Sequence, residues 1–180
     1  YDKYGYNEDL LFKYSNKETE KKFQTLLSYA NILSNNNKTI IKKIFKKYKD
    51  QILSIPSENK KYSFRGGFLF QLVALLELNA KIHKKYSLEL DKTIAGIILK
   101  NIGLVEYYEN DLIFTINDEK KQKGFKLLGL DIISNYTSKK NIEIIDFLKK
   151  NIINDDLNSS DIYMKYIVNI YTFDSKIIIW

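Results

Sequence analysis

Cysteine is absent from this 180-residue chain, and histidine occurs only once, as His83. Without thiols the chain can form neither disulfide bonds nor thiolate metal sites, which suits a reducing compartment, so we expect a cytoplasmic location. A single imidazole excludes zinc sites built from several nitrogen or sulfur ligands, and any Ser-His-acid triad would have to use His83. This histidine lies among lysines in AKIHKKY, a setting that predicts a solvent-facing or lightly packed side chain rather than a catalytic one.

Long hydrophobic runs are also lacking. No apolar stretch approaches the roughly 20 residues that a membrane-spanning helix needs. The N-terminal YDKYGYNEDLLFKY does not contain the continuous apolar segment of a signal peptide. We therefore expect no membrane partner. The chain starts at Tyr1 rather than at a methionine, which is compatible with an upstream segment.

Phosphate-binding glycine motifs and calcium loops are missing as well. Gly66 and Gly67 lack the Lys-Ser or Lys-Thr pair that completes a P-loop, and we expect them to permit close backbone packing instead. The acidic stretch NDDLNSSD contains Asp155, Asp156 and Asp161, but neither the turn glycine nor the final glutamate of a calcium loop. Helix capping is the better interpretation of these aspartates. We expect neither a metal nor a cofactor.

Positive charge is what the chain has in excess. Its 29 basic residues outnumber its 22 acidic residues, which gives a formal net charge of +7, and Arg65 is the only arginine. Such a balance favours an acidic partner such as nucleic acid. The abundance of Lys, Ile, Asn and Tyr is also the bias expected of an AT-rich genome, so both explanations of the basicity stay open.

Hydrophobic spacing predicts an all-α fold of about seven helices. We expect one helical domain over residues 16–180 behind an N-terminal arm or linker at 1–15. The predicted helices cover about residues 16–34, 38–49, 65–86, 92–102, 118–136, 139–152 and 160–171.

Local signals support several of these boundaries. Ser15 followed by Glu18 is a capping box, and Asp91 is placed to cap the helix that follows it. The segment ILSIPSENKKYSF has too little periodicity for a regular element and predicts a connector. The segment VEYYENDLIFT, near 105–115, predicts a short extended excursion, such as a hairpin.

Four short motifs stand in a recognisable order along the chain. They comprise a connector from Pro56 through Lys61, Tyr62, Ser63, Phe64, Arg65, Gly66 and Gly67 to Gln71, the string KNIGL at 100–104, the string FKLLGL at 125–130, and the string YIVN at 166–169. In this order they resemble the HD domain of the YhaM-type 3′-5′ exoribonucleases. The resemblance covers about residues 18–172.

The metal ligands of that family are the residues that this chain replaces. A family histidine that binds metal corresponds to Gln71, and the family's His-Asp-Ile-Gly-Lys corresponds to a string that begins Lys100 and Asn101. The histidine that ends Gly-Lys-Leu-Leu-Gly-His corresponds to Leu130, and the aspartate of Tyr-Ile-Asp-Asn corresponds to Val168. The family's His-His pair between these last two motifs has no counterpart.

The resemblance implies an HD-domain-like helical bundle that has lost its metal site. An active HD phosphohydrolase holds metal on imidazole and carboxylate ligands, and the metal activates water. Gln71, Asn101 and the two apolar replacements cannot supply that donor set, and the ammonium of Lys100 would repel a cation. We therefore expect a pseudoenzyme rather than an enzyme. Hydrolysis at an unrelated carboxylate site is the opposing alternative.

Two binding roles follow from this interpretation. In the first, the former substrate groove holds RNA or single-stranded DNA by phosphate contacts and stacking, with candidate contacts at Lys60, Lys61, Arg65, Lys100 and Lys126. In the second, the domain is a structural or interaction subunit for a partner protein, and the lysines only confer solubility. Aromatic residues near the termini would then suit docking; these are Tyr1, Tyr4, Tyr6 and Trp180.

Overall fold

The computed structural model describes residues 13–109, 114–116, 118–137 and 161–176, and within these ranges the chain is helical. The only pairing of extended backbone in these residues is a single antiparallel bridge between Glu109 and Thr115. The prediction of an all-α fold is confirmed. The helices are α1 (Asn16–Asn31), α2 (Asn35–Lys47), α3 (Lys49–Ser54), α4 (Gly67–Ile82), α5 (Leu90–Lys100), α6 (Leu104–Tyr107), α7 (Asp118–Lys123), α8 (Phe125–Tyr136) and α9 (Ile162–Lys176), with 3-10 turns at Lys60–Tyr62 and His83–Tyr86.

Helix α4 is the centre of the core. Its buried side chains cover more than half of its circumference, while Glu77 and Lys81 on the opposite side are exposed. It packs against α1, α3, α5, α9 and both 3-10 turns. Helix α8 forms a second layer, which packs against α2, α5, α6 and α7. Apolar packing around α4 therefore sets the positions of the neighbouring elements. The polar residues of the candidate site lie at the ends of these elements.

A buried polar chain ties α9 to this core. The phenol of Tyr166 donates to Oδ1 of Asn79 at 2.9 Å, and Nδ2 of Asn79 donates to Oγ1 of Thr93 at 3.2 Å. Asn79 and Thr93 have no solvent exposure. Burial raises the pKa of Tyr166 to about 12, so its phenol remains a neutral donor at physiological pH. Satisfied polar groups of this kind specify one arrangement of three helices.

Two predicted capping interactions are confirmed. Ser15 and Glu18 form the capping box at the start of α1, with both reciprocal hydrogen bonds present. Oδ1 of Asp161 accepts from the backbone N–H groups of Tyr163 (2.9 Å) and Met164 (3.2 Å) at the start of α9. Asp155 and Asp156 lie outside the described residues.

Asp91 does not cap its own helix, contrary to the prediction. Its carboxylate instead accepts from the backbone N–H and the hydroxyl of Ser34 and from Nδ2 of Asn37, at the start of α2. This contact also explains why α2 begins at Asn35 rather than at Lys38. The asparagine run forms the first turn of α2, and Asp91 accepts a hydrogen bond from one of its side chains, that of Asn37.

Two glycines permit backbone contacts that no other residue would allow. A Cβ on Gly67 would lie 1.8 Å from the carbonyl oxygen of Tyr62, so this glycine holds the connector against the start of α4, as expected. A Cβ on Gly103 would lie 1.8 Å from the carbonyl oxygen of Phe125, so Gly103 holds the start of α8 against the end of α5. Gly66 precedes α4 with a φ of 79°, a left-handed conformation that favours glycine.

Other boundaries differ from the prediction for local reasons. The connector contains part of α3 and a 3-10 turn, and the excursion begins with a helical turn, Leu104–Tyr107. The single helix predicted at 118–136 is two helices, because Gly124 adopts a φ of 75° and breaks it. The helix predicted at 139–152 lies outside the described residues.

Two side chains are more enclosed than expected. His83 is only 9% exposed, so a solvent-facing position was wrong, and its Nδ1 lies 3.0 Å from the carbonyl oxygen of Asn79. The end of the predicted arm packs on the domain, because the ring of Tyr14 stacks on Phe70 with 4.1 Å between centroids. Residues 1–12 lie outside the described ranges.

Among the helices that are described, none combines the length and hydrophobicity of a membrane span.

Replacement of Gly103 by alanine should destabilise the protein strongly. Its φ of −62° is ordinary for any residue, so the cost is steric: the new methyl group meets the backbone of α8. Overpacking of this kind costs about 3 kcal/mol of unfolding free energy, measured by urea denaturation. Gly129→Ala is the matched control, because its Cβ would lie 3.2 Å from the nearest atom, the nitrogen of Gly103. Equal losses in the two variants would contradict the proposed contact.

Removal of the Asp91 carboxylate should weaken the start of α2. In Asp91→Ala the buried amide of Asn37 and the N–H of Ser34 lose their acceptor. An unsatisfied buried donor costs about 2 kcal/mol, again measured as unfolding free energy. Glu89→Ala removes a neighbouring carboxylate that pairs with Lys92 at the surface, and it should cost far less. A small effect of Asp91→Ala would show that the capping contact contributes little.

Candidate functional site

A cleft of about 770 Å³ opens where five elements meet. Its walls come from the connector before α4, from α4, from the end of α5, from the start of α8 and from the last turns of α9. We call it the central cleft. It is lined by Glu58, Asn59, Lys60, Gln71, Lys100, Asn101, Phe125, Lys126, Val168, Tyr171, Thr172 and Ser175.

Most of the residues singled out from the sequence meet in this cleft. Three of the five candidate contacts line it, namely Lys60, Lys100 and Lys126. Four of the five positions that correspond to metal ligands in the HD resemblance also line it; these are Gln71, Lys100, Asn101 and Val168. The motifs are far apart in sequence, and their convergence results from the packing of α4, α5, α8 and α9.

Three predicted residues lie elsewhere. Lys61 lines a neighbouring cavity and forms an ion pair with Asp174. Arg65 lines a separate hollow beside α1 and α3, and its guanidinium carbon lies 5.9 Å from the ring centroid of Phe114. Leu130 packs against the hydrophobic core and is absent from the lining of the cleft. The structure therefore places Arg65 and Leu130 away from the central cleft, and Lys61 in the cavity beside it.

Hydrogen bonds hold the polar walls of the cleft in place. Nδ2 of Asn101 donates to Oε1 of Glu58 at 2.9 Å, which joins the end of α5 to the connector. Oε1 of Gln71 accepts from the hydroxyl of Ser57, which joins the connector to α4. Gln71 and Ser57 are 2% and 3% exposed, so this second bond is shielded from water. Both amides serve as structural ties between elements.

Lys100 places a positive charge in the wall of the cleft. Only 6% of the residue is exposed, and its Nζ lies 5.9 Å from the centroid of the Tyr171 ring, a cation–π distance. The phenol of Tyr171 donates to the carbonyl oxygen of Ile97 at 2.8 Å. Burial, with the carboxylates of Glu58 and Asp174 nearby, raises the pKa of Tyr171 well above its ordinary value. The phenol therefore stays neutral next to the ammonium.

The charge of the central cleft is positive overall. Three lysines face one carboxylate, Glu58, among the residues that line it. Lys60 is exposed and Lys126 is partly exposed, so their ammonium groups can reach a ligand in the opening. Cations around a concave surface raise the local concentration of anions and suit phosphate groups.

A second cavity of about 760 Å³ continues from the central cleft, with which it shares Asn59, Lys60 and Ser175. We call it the aromatic cavity. It is lined by Lys13, Tyr14, Lys22, Asn59, Lys60, Lys61, Tyr62, Phe64, Phe70, Ala74, Asp174 and Ser175. Tyr14 stacks on Phe70, and Nζ of Lys13 lies 4.8 Å from the centroid of Phe64. The two cavities adjoin at these shared residues, and we call the pair the trough; lysines line both parts, and an aromatic cluster lines one of them.

Asp174 is the buried acid of the aromatic cavity. It is 5% exposed, and its Oδ1 accepts from the phenol of Tyr62 at 3.0 Å and from Nζ of Lys61 at 3.2 Å. Burial is the main cause of a raised pKa at Tyr62, and the carboxylate of Asp174 raises it further. Tyr62 is thus a neutral donor to Asp174 across the physiological range.

Sequence reasoning missed Glu58, Tyr171 and Asp174. Glu58 sits in the connector between residues that were considered, but only its basic neighbours were singled out. Tyr171 follows Val168 by three residues, so helical spacing puts both on one face of α9 and was an available signal. Asp174 follows Tyr171 by three residues and shares this spacing, but its burial also depends on contacts with Lys61 and Tyr62 of the 3-10 turn, which the sequence does not indicate.

Neither cavity has a ligand set for a metal ion. No group of three or more His, Cys, Asp or Glu side chains lies close enough to share an ion within the described ranges. The side chains that do converge are lysines, amides and aromatic rings. Their chemistry is suited to binding an anion with aromatic groups.

Comparisons with models of protein families, with curated proteins and with solved structures gave no match for this chain.

Proposed function

We propose that this chain is a degenerate HD-type domain that binds the backbone of single-stranded nucleic acid in the trough without cleaving it. The observation that supports the proposal is the convergence of Lys60, Lys100 and Lys126 on one open cleft from three separate elements. Cations brought together on a concave surface are a stronger indication of a polyanion site than a high lysine content alone. The domain is proposed to act in the cytoplasm, and to do so as a pseudoenzyme.

The shape of the trough favours a single strand over a duplex. A single strand exposes its bases, which can stack on aromatic side chains while lysines follow the phosphates. The aromatic cavity supplies half-buried rings, including Tyr14, Phe64 and Phe70, directly beside the lysines of the central cleft. A duplex keeps its bases stacked internally and would use only the charges.

The same cleft offers little for hydrolysis. At positions equivalent to metal ligands in the HD resemblance it presents two amides, one apolar side chain and the ammonium of Lys100. An ammonium can bind a phosphate oxygen, but it cannot lower the pKa of a water molecule as a bound metal does. We therefore propose binding alone as the activity.

Neutralisation of the two accessible cleft lysines should weaken binding. In the double variant Lys60→Gln, Lys126→Gln, affinity for a fluorescent single-stranded oligonucleotide should fall by about tenfold at low salt. The slope of log affinity against log salt concentration should decrease by about 0.7 for each lysine removed, since each lysine neutralises one phosphate. Fluorescence anisotropy over a salt series measures both quantities.

A charge-matched control separates the cleft from the overall basicity. Lys42→Gln, Lys43→Gln removes the same charge from exposed positions on α2 that line neither cavity, and its affinity should remain within about twofold of wild type. Equal losses in the two double variants would mean that binding is non-specific. No binding by the wild-type chain at low salt would reject the proposal.

A protein partner is the second candidate function. Along α9 lies a groove of about 440 Å³ with three large exposed apolar side chains, Tyr86 (55%), Ile162 (57%) and Phe173 (55%). Exposed apolar clusters of this kind mark interaction surfaces. Tyr1, Tyr4, Tyr6 and Trp180, which were also considered for docking, lie outside the described residues.

Light scattering after size-exclusion chromatography tests whether the protein associates with itself. If it associates through this groove, Phe173→Ser should abolish the association.

A further inference from the structure

The groove along α9 combines buried and exposed apolar side chains. Tyr166 and Ile170 line it and are 6% and 2% exposed, so they belong to the packed domain. Tyr86, Ile162 and Phe173 line it too, and each is more than half exposed. The rings of Tyr86 and Tyr166 meet edge-on with 5.3 Å between centroids, which joins the 3-10 turn after α4 to α9. The exposed members form an apolar surface that the described helices leave uncovered.

Two lysines border this apolar surface. Lys165 and Lys176 line the groove and are exposed. At 3.6 residues per turn, they lie within about 20° of each other around the axis of α9, and both lie on the same side of Ile162 and Phe173. The rise of the helix places them roughly 16 Å apart, which is about three turns. The groove thus presents an apolar stripe with a cation near each end.

The described residues do not neutralise these two cations. None of the described residues that line the groove is acidic. Neither lysine forms an ion pair with a residue in the described ranges. Two carboxylates adjoin lining residues in the sequence, and both are engaged: Glu89 accepts from Nζ of Lys92 at 2.7 Å, and Asp161 caps the start of α9. Complementary charge would therefore come from a partner.

A second copy of this chain would bring the wrong charge to the groove. If two α9 helices paired through this face, Lys165 and Lys176 of each chain would meet, and neither lining would contribute a carboxylate. Each chain also carries a formal net charge of +7, so the two copies repel each other. Charge complementarity favours a different chain that carries acidic groups.

We propose that the groove along α9 binds an amphipathic helix of another protein, whose apolar stripe is bordered by acidic residues. A helix that lies along α9 repeats its side chains with the same spacing, and it places its apolar face in the groove with anchors at i, i+3 or i+4, and i+7. These anchors cover Ile162 and Phe173, and carboxylates about three turns apart pair with Lys165 and Lys176. This inference rests on the second candidate function, a protein partner, and it is independent of the trough.

The test uses a synthetic helical peptide of about fifteen residues, which is long enough to span the two lysines. Leucines at helical spacing form its stripe, and two glutamates border the stripe three turns apart. One control peptide has lysines in place of the glutamates, and another has alanines in place of the leucines. At low salt the acidic peptide should bind about tenfold more tightly than either control, because it alone matches both the charge and the apolar surface. Fluorescence anisotropy measures the three affinities.

Charge reversal on the protein is the sharper test. In Lys165→Glu, Lys176→Glu the preference should invert, so that the basic peptide binds about tenfold more tightly than the acidic one. Lys42→Glu, Lys43→Glu is the matched control: it makes the same change of charge at exposed positions of α2 outside the groove, and it should preserve the preference for the acidic peptide. Phe173→Ser should weaken binding of the acidic peptide about tenfold, since an apolar contact is lost.

The possible results identify the occupant. Inversion in both charge-reversed variants would overturn the proposal, because the peptides would then sense only the overall charge. Failure of the acidic peptide to bind would also overturn it. In that case, self-association that is lost in Phe173→Ser indicates a second copy, and binding to anionic phospholipid vesicles that is lost in the same variant indicates a membrane surface. The absence of all three would reject any partner at this groove, while the affinity for oligonucleotides tests the trough separately.

Discussion

Two backbone contacts at glycine determine the geometry on which the candidate site depends. Gly67 lets the carbonyl of Tyr62 approach the start of α4, and Gly103 lets the carbonyl of Phe125 approach the turn after α5. The first contact fixes the connector that carries Glu58 and Lys60. The second fixes the start of α8, which carries Lys126, against the end of α5, which carries Lys100. These contacts set how closely the connector approaches α4 and how closely α8 approaches the end of α5, and so they shape two sides of the central cleft.

The lysines that line the central cleft differ in exposure: Lys100 is buried, and Lys60 and Lys126 are accessible. Lys100 is held in the wall, and burial of an ammonium is unfavourable unless nearby groups compensate for lost hydration. The face of the Tyr171 ring supplies part of this compensation. Lys60 and Lys126 are the more exposed lysines of the cleft. A bound anion would thus meet one preorganised charge and two adaptable ones.

The helices with strong hydrophobic periodicity were predictable, and the exceptions trace to distant contacts. Local spacing and a capping box sufficed for α1. The start of α2 was misplaced because the contacts of Asp91 with Ser34 and Asn37, from a distant part of the sequence, favour a helix that begins at Asn35. Gln71, Lys100 and Lys126 line one cleft because α4, α5 and α8 meet there.

The assignment of neighbouring basic residues to one site could not be made from sequence. Lys60 and Lys61 are adjacent, yet Lys60 lines both cavities and Lys61 pairs with Asp174, because side chains in a 3-10 turn point about 120° apart. Asp174 was missed for the same reason: its significance arises only where α9 meets that turn.

The hydrogen bond between Asn79 and Tyr166 joins two helices that lie far apart in the sequence, so it can form only after both have been synthesised. These two partners are 87 positions apart, and the contact between Asn37 and Asp91 spans 54. Closing such loops is slow relative to forming a local helix, since many conformations are lost before any contact is gained. During synthesis, α1 and α4 can form early, whereas the trough gains its last wall only after α9 has left the ribosome. Nascent chains should therefore be unable to capture a ligand in the trough until α9 has emerged.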